Sequence, residues 1–259
     1  PLQRNDYLSA RYEAEVYLKR EDASAVRSYK IRGAFNAMRK SLAANPTHRR
    51  FVCASAGNHA QGVAYICQQF DVKGVIFMPI TTPQQKVDKT RAFGKKSIEI
   101  KLIGDYFDDT LKAAKQYCDA QDAVFLSPFD DADVIEGQAT VAAEILAQLP
   151  GPPDLVILPV GGGGLSAGVV TYMQAKSPAT AFRFVEPAGG ASLAAALQSG
   201  QLVTLKKVNN FVDGAAVARI GDRPFEVLKS VSPDHVISVA EDRLCTTILD
   251  MLNVEGIVL

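Results

Sequence analysis

The chain has 259 residues, with 28 basic and 28 acidic side chains that cancel at pH 7. This balance gives no electrostatic reason to expect nucleic acid or an anionic membrane as a partner, so a small molecule is the better expectation. Hydrophobic residues make up 47% of the chain, and no apolar run approaches the ~20 residues that span a bilayer. With no signal peptide before the first strand, these properties predict a cytoplasmic protein.

Strand-like and helix-like stretches alternate through the first half of the chain. The apolar periodicity and the Pro and Gly boundaries predict, in chain order, a strand at 51–54, a helix through 63–70, a strand at 74–78, a helix at 83–93, a strand at 97–103, a helix at 108–119 and a strand at 123–126. Four strands connected by helices within about 80 residues indicate a small parallel sheet covered by helices.

A second series of alternating elements follows a predicted crossover at 128–134. The predicted elements are a helix at 136–149, a strand at 155–158, a helix at 165–175, a strand at 181–185, a helix at 192–198, a strand at 236–239 and a helix at 242–252. This series indicates a second layer of strands and helices.

The four cysteines are far apart in the sequence and form no CxxC pair. This spacing predicts four reduced, buried thiols in a cytosolic protein, with a zinc site or a disulfide framework as the alternative. The cysteines are Cys53, Cys67, Cys118 and Cys245.

Lys30 is the first residue with a candidate chemical role. It lies at the start of a predicted helix whose apolar positions begin at Ile31, and Ser28 is the expected N-cap. The positive end of the helix dipole and desolvation by apolar neighbours both disfavour an ammonium there. A lysine of lowered pKa suits a Schiff base with an aldehyde cofactor, although a solvated lysine at a helix end fits the same pattern.

The second candidate is the stretch 55–59, which lies between a predicted strand and the helix that follows. Parallel sheets bind ligands beyond the carboxyl ends of their strands, and the first N–H groups of a helix form a site for a carboxylate or a phosphate. The first three residues are small, so a ligand can approach the backbone, and Asn58 offers both a donor and an acceptor. An ordinary capping turn is the alternative, and His59 fits packing against the helix equally well.

The third candidate is the run of four glycines at 161–164, between a predicted strand and a predicted helix. Ordering consecutive glycines costs much conformational entropy, which indicates that the backbone itself binds a ligand. Phosphate held by amides at a helix start is the leading explanation, and the Walker A pattern is missing. A dinucleotide-binding fingerprint is the alternative, but two positions depart from it. Ser166 stands where the fingerprint has its third glycine, and Glu186 lies further from the glycines than the acidic residue of the fingerprint usually does.

In this order, the three candidates resemble the fold-type II pyridoxal-phosphate enzymes, most closely the threonine dehydratase (threonine deaminase) group, with serine dehydratase and serine racemase as near relatives. The resemblance covers essentially the whole chain and is carried by the stretches 19–22, 28–34, 54–62, 128–131, 134–138 and 161–165. It implies a tryptophan synthase β-like α/β fold with two domains, each having a mostly parallel sheet flanked by helices. We expect a large cofactor-binding domain from 1–50 and 131–259, and a small α/β domain at 51–130.

The resemblance implies pyridoxal 5'-phosphate as the cofactor and assigns roles to the candidate residues. Lys30 would form the Schiff base and move the proton at the substrate Cα, with Tyr29 packed near the ring, and Asn58 would hydrogen-bond the cofactor's 3-hydroxyl. The residues implied to hold the phosphate are Gly161, Gly162, Gly163, Gly164 and Leu165. Those implied to line the substrate carboxylate site are Ser55, Ala56, Gly57 and His59. Gly214 and Ala215 resemble a loop near the polar edge of the cofactor.

The implied reaction is the elimination of water from L-threonine, and from L-serine, to give 2-oxobutanoate or pyruvate and ammonia. Within the family, serine racemase and hydroxyaspartate dehydratase are alternative activities. Outside the family, the alternatives are a dinucleotide-binding oxidoreductase and a non-catalytic binding module. We expect no metal, with Glu186 as a weak candidate ligand because some relatives bind a cation near an acid at a strand end. Relatives are often dimers or tetramers, so a homo-oligomer is expected.

Two features of the resembling family lie outside this sequence. A serine or cysteine opposite the pyridine nitrogen and, in allosteric members, a C-terminal regulatory domain are both expected beyond its last residue. The sequence begins at Pro1 without a methionine, and residues 257–259 predict the start of a strand. We therefore expect a cropped catalytic region.

Overall fold

The computed structural model describes residues 1–258, which contain nine β-strands and ten α-helices. The strands are β1 (Leu2–Arg4), β2 (Tyr17–Lys19), β3 (Arg50–Ala54), β4 (Lys73–Met78), β5 (Ile98–Leu102), β6 (Val124–Phe125), β7 (Leu155–Pro159), β8 (Ala181–Pro187) and β9 (Val236–Val239). The helices are α1 (Asp6–Tyr12), α2 (Lys30–Ala44), α3 (Asn58–Gln69), α4 (Gln84–Gly94), α5 (Phe107–Gln121), α6 (Ala132–Gln148), α7 (Gly164–Lys176), α8 (Ser192–Ser199), α9 (Asp222–Leu228) and α10 (Glu241–Glu255). Within the described range, no helix combines the length and the apolarity that a membrane crossing requires.

Two compact units make up the described chain. Residues 24–138 form one, which we call the lysine unit, and residues 1–23 with 139–258 form the other, which we call the glycine unit. The lysine unit includes 24–50, because α2 packs against α3 in one apolar cluster. The domain boundaries expected from the sequence, with the small domain at 51–130, stay a prediction, because compact units need not coincide with domains that fold independently.

The lysine unit is built on one parallel sheet with strand order β5-β4-β3-β6. Its two central strands are apolar on both faces, as strands covered on both sides must be. Alternate residues point to opposite faces, so Cys53 and Ile76 join the cluster with α2 and α3, while Val52 and Phe77 pack with residues of α5. The sheet therefore lies between two helical layers, as the alternation in the sequence predicts.

The order of the strands creates a switch point at the carboxyl ends of β3 and β6. The chain moves from β3 outward to β4 and β5, and then returns to place β6 on the other side of β3. At such a point of strand-order reversal, a parallel sheet commonly binds its ligand in a crevice beyond the carboxyl ends of the strands. The stretch 55–59 follows β3 and the stretch 126–131 follows β6, so both lie at this crevice.

The glycine unit contains a second parallel sheet, with strand order β7-β8-β9, and a separate antiparallel pair formed by β1 and β2. The three parallel strands begin at the positions predicted from the sequence or within one residue of them. The glycine run follows β7 directly and leads into α7. It therefore lies at the carboxyl edge of this sheet.

Several elements differ from their predicted bounds. Helix α6 begins at Ala132, inside the predicted crossover, because the Asp131 carboxylate accepts hydrogen bonds from Asp133 N and Val134 N, both at 2.9 Å.

Cys53, Cys67 and Cys118 are buried free thiols, but Cys245 is exposed, so its predicted burial is wrong. It lies on α10, which has few buried positions. The strand predicted to start at residue 257 extends to Leu259, which lies outside the described residues.

Candidate active site

The Lys30 side chain occupies a defined position in the lysine unit. Ser28 Oγ accepts a hydrogen bond from Lys30 N at 3.2 Å. The N-cap of α2 is Tyr29, which makes no side-chain capping bond, so the predicted N-cap at Ser28 is wrong by one residue. Lys30 Nζ donates to the carbonyl oxygen of Pro128 at 2.7 Å. The Tyr29 and Phe129 ring centroids lie 5.4 and 5.9 Å from the same nitrogen. The amine is thus held by one backbone acceptor and two aromatic rings.

The backbone at the start of α2 is fixed by close contacts with two other helices. A Cβ at Gly62 of α3 would lie 3.2 Å from the carbonyl carbon of Lys30. A Cβ at Gly137 of α6 would lie 2.7 Å from Gly33 Cα. Any larger side chain at these glycines would push on the α2 backbone, because packed interiors leave little room for extra atoms. The lysine therefore starts from a rigid base.

Burial shifts the acid–base properties of this pair of neighbours. Lys30 is partly buried, and desolvation lowers the pKa of its ammonium from 10.5 to about 8. The same cause raises the pKa of the Tyr29 hydroxyl to about 12. A substantial fraction of Lys30 is therefore a neutral, nucleophilic amine near physiological pH, whereas Tyr29 stays protonated.

The shifted pKa predicts how cofactor attachment depends on pH. Only the neutral amine attacks an aldehyde, so the rate of pyridoxal phosphate attachment to the apoenzyme should rise with pH and level off above about 8, the pKa of Lys30. Stopped-flow absorbance across a pH series measures this rate. A rate that climbs up to the ordinary lysine pKa of 10.5 would show that the amine is solvated.

The stretch 55–59 forms the turn from β3 into α3. Gly57 N donates to Ser55 Oγ at 3.2 Å, and the first backbone bond of the helix runs from Gln61 N to the Gly57 carbonyl at 3.2 Å. The N–H groups of Asn58 and His59 therefore have no partner within the helix and suit a carboxylate. Asn58 is exposed, whereas Ser55, Ala56 and Gly57 are partly buried. The turn thus presents an amide side chain and two backbone N–H groups at the crevice.

His59 differs from its neighbours because its ring is buried, with 3% of the residue exposed. Ring Nε2 lies 3.0 Å from the carbonyl oxygen of Leu126. Burial and the positive charge of Lys30 lower the pKa of the imidazole to about 3, so the ring is neutral. The predicted contact of His59 with a substrate carboxylate therefore rests on its backbone N–H, since its ring is engaged elsewhere.

The glycine run surrounds the start of α7 in the glycine unit. Gly163 has a left-handed backbone with φ +85°, and a Cβ there would lie 2.8 Å from Pro224 Cβ. The first backbone bond of α7 runs from Ala167 N to the Gly163 carbonyl at 2.9 Å, so the N–H groups of Gly164 and Leu165 have no partner within the helix. Such amides suit a phosphate group. Gly161 to Leu165 therefore fit the role that the resemblance implies.

The loop that contains Gly214 and Ala215 meets the first glycine of this run. A Cβ at Gly161 would lie 3.0 Å from Ala215 Cα and 3.3 Å from the Ala215 carbonyl oxygen. Gly214 is exposed, and nothing lies within 4 Å of the position of its missing Cβ. The structure thus brings Gly161 and Ala215 together, although they are far apart in the sequence.

Glu186 at the end of β8 has a structural use. Its carboxylate accepts hydrogen bonds from Leu193 N at 2.8 Å and Ala194 N at 2.9 Å, at the start of α8. Burial raises the pKa of this carboxyl, and these amide bonds oppose the shift. Within residues 1–258, no group of three His, Cys, Asp or Glu side chains is arranged to hold a metal ion. The expectation of no metal, with Glu186 as a weak candidate ligand, stays a prediction.

Sequence reasoning missed the contacts that hold the Lys30 amine. The acceptor is the Pro128 carbonyl, and Phe129 supplies one of the rings. A backbone carbonyl has no signature of its own in a sequence, because every residue carries one. Two signals were available: Pro128 and Phe129 come directly after a predicted strand, and the stretch 128–131 is one of those that carry the family resemblance.

Comparison with known proteins identifies the family of this chain. The family described as pyridoxal-phosphate dependent enzyme matches residues 1–259. The biosynthetic L-threonine dehydratase IlvA of Bacillus subtilis (strain 168) is 51% identical over 253 residues, which cover 98% of this chain and 60% of the relative. IlvA of Halalkalibacterium halodurans is 46% identical over 258 residues, covering 100% of this chain and 62% of the relative. The chain thus spans about three fifths of the length of these curated relatives.

Solved structures give the same assignment. The processed form of threonine deaminase isoform 2 from Solanum lycopersicum superposes with a TM-score of 0.91 at 39% identity, covering all of this chain and 74% of that one. Maize serine racemase superposes with a TM-score of 0.92 at 26% identity, covering 99% and 76%. The predicted fold-type II architecture, the predicted cofactor and the resemblance to the threonine dehydratase group are confirmed, and the dinucleotide-binding alternative is disfavoured. The chain belongs to the family of pyridoxal-phosphate dependent enzymes.

Proposed function

We propose that this chain is the catalytic region of an enzyme that converts L-threonine to 2-oxobutanoate and ammonia, and L-serine to pyruvate and ammonia. The observation that carries the proposal is the Lys30 amine, which has a lowered pKa and lies at the switch point of a parallel sheet. Relatives at 46–51% identity that bear the name L-threonine dehydratase support the choice of substrate.

The residues of this chain divide into groups that hold the cofactor and groups that hold the substrate. Pyridoxal phosphate, when bound, supplies an electron-poor ring that stabilises negative charge at the substrate Cα. Lys30 Nζ would be its attachment point, Asn58 would hydrogen-bond its 3-hydroxyl, and Tyr29 would pack near the ring. The phosphate would be held by the backbone of Gly161, Gly162, Gly163, Gly164 and Leu165, and Gly214 and Ala215 would lie near the polar edge. The substrate carboxylate would be held by Ser55, Ala56, Gly57 and the backbone of His59.

Lys30 also moves the proton in the reaction. The neutral amine accepts the proton from Cα, the C–O bond at Cβ breaks, and the hydroxyl group leaves as water with the proton that Lys30 has taken up, which returns the amine to its neutral form. The released enamine rearranges to an imine, which water hydrolyses to the 2-oxo acid and ammonia. A positioned base contributes ~10²–10⁴-fold in rate. The rest of the protein contributes to catalysis by holding Lys30 rigidly in place against Cα.

Product analysis with the full-length protein tests this proposal. With L-threonine we expect 2-oxobutanoate and ammonia in equal amounts, measured by lactate dehydrogenase coupling and an ammonia assay. L-serine should react with a kcat/KM within ~10–200-fold, since one methyl group in a pocket discriminates by only that much. D-serine as the main product would instead establish serine racemase, the alternative that the likeness to maize serine racemase keeps open.

Assembly and location form the remaining part of the proposal. A homo-oligomer, either a dimer or a tetramer, is proposed for the full-length protein, and sedimentation analysis would measure its mass. The cytoplasmic location expected from the sequence stays a prediction.

A further inference from the structure

The four residues after β6 contact both the His59 ring and the Lys30 amine, two groups that lie far apart in the sequence. Leu126 N donates to the Val52 carbonyl at 2.7 Å, so the stretch begins tied to β3. The Leu126 carbonyl lies 3.0 Å from His59 Nε2, and two residues later the Pro128 carbonyl accepts the Lys30 amine at 2.7 Å. We call residues 126–129 the amine-holding segment. One end of it is fixed by His59, and the other end holds Lys30.

The chemistry of the His59 ring fixes the direction of its contact. A carbonyl oxygen only accepts hydrogen bonds, so Nε2 carries the proton and donates to Leu126. The ring is neutral over the physiological range because burial and the charge of Lys30 lower the pKa of the imidazole to about 3. It therefore acts as a fixed donor and neither gains nor loses a proton at neutral pH.

We propose that His59 is a positioning residue for Lys30, because its Nε2–H fixes the amine-holding segment and so sets the place where the free amine rests. The inference rests on the proposed function and deepens it. The Lys30 amine must leave the cofactor and return to it in every turnover. A flexible lysine side chain would otherwise explore many rotamers, so a fixed acceptor and two flanking rings keep the nitrogen in one place.

The arrangement gives His59 two separable parts. Its backbone N–H lies in the first turn of α3 and belongs to the proposed carboxylate site, whereas its ring reaches the segment after β6. Replacing the side chain leaves the backbone N–H in place. A change at His59 should therefore affect cofactor attachment and kcat, and leave the KM for L-threonine little changed. A ring that contacted the substrate would give the opposite pattern.

The test compares three variants of the full-length protein. The apoenzyme of each is mixed with pyridoxal phosphate, the attachment rate is followed by absorbance, and borohydride reduction with peptide mapping identifies the modified lysine. His59→Ala should slow attachment and lower kcat by ~10²-fold, the effect of a small misplacement of a reacting group. His59→Gln retains an N–H donor at a similar reach and should restore most of the rate. His48→Ala is the matched control, because that ring contacts Ser41 Oγ at 2.9 Å.

The outcomes separate this inference from the function on which it rests. If the unmodified enzyme carries the cofactor on Lys30 and His59→Ala attaches it at the same rate, the positioning role is wrong and the function stands. If the unmodified enzyme carries no label on Lys30, the function itself is wrong. Should His59→Ala fail to fold, His59→Gln decides: attachment near the unmodified rate supports the role, and slow attachment overturns it.

Discussion

Replacing Lys30 by alanine is expected to abolish both turnover and covalent attachment of the cofactor. The change removes the amine that forms the bond and the base that takes the Cα proton, so kcat/KM for L-threonine should fall by ~10⁴-fold or more. The near-violet absorbance of the holoenzyme should disappear at the same time. Absorbance spectra and steady-state assays of the purified variant measure both effects.

Lys115→Ala provides the matched control for this experiment. Lys115 is exposed on α5, so its loss removes a positive charge and leaves the candidate site unchanged. Its spectrum and kcat/KM should equal those of the unmodified enzyme. A Lys30→Ala protein that still forms a borohydride-reducible bond with the cofactor would place the attachment at another lysine.

Replacing Gly163 by alanine should damage both stability and cofactor binding. The residue has φ +85°, and the added Cβ would lie 2.8 Å from Pro224 Cβ and 2.9 Å from Ile220 Cδ1. Left-handed strain and overpacking together should lower the free energy of unfolding by about 2–5 kcal/mol. Moving the amides at the start of α7 should also raise the Kd of pyridoxal phosphate by ~10- to 100-fold, the effect of losing one charge-assisted hydrogen bond.

Gly200→Ala separates these two causes. Gly200 also has a left-handed backbone, with φ +69°, but nothing lies within 4 Å of the position of its missing Cβ. It should lower the free energy of unfolding by about 1–2 kcal/mol and leave the Kd of the cofactor unchanged. Chemical denaturation and fluorescence titration measure the two quantities. Equal cofactor affinity in the Gly163→Ala and unmodified proteins would argue against the glycine run as the phosphate site.

Most of the two α/β layers could be predicted from the sequence, because each parallel strand is a short apolar run bounded by Gly or Pro. Strands β3, β4 and β7 agree with their predicted bounds to within one residue. The short elements were missed: β1 and β2 have three residues each, α1 and α9 seven, and so few residues carry little periodicity. Helix α6 begins earlier than predicted because Asp131 caps it, and an aspartate within a predicted crossover does not by itself mark a helix start.

The candidate site could be predicted only where a residue type carries its own signal. A lysine at a helix start and a run of glycines before a helix are visible in the sequence, and the structure places both at the starts of helices, α2 and α7. Their roles toward the cofactor stay predictions. The pairing of Gly161 with Ala215 and the contact of Lys30 with the Pro128 carbonyl depend on tertiary packing between distant segments. The contact of the His59 ring with the Leu126 carbonyl could not be predicted either. A histidine in the first turn of a helix has the same sequence pattern whether its ring contacts a ligand or the backbone.

The central claim is that the Lys30 side chain carries the cofactor. Borohydride reduction of the full-length holoenzyme, followed by proteolysis and mass spectrometry, tests it most directly. We expect a single phosphopyridoxyl group, located on the peptide that contains Lys30. A label on any other lysine, or no label in a protein that contains bound pyridoxal phosphate, would contradict it.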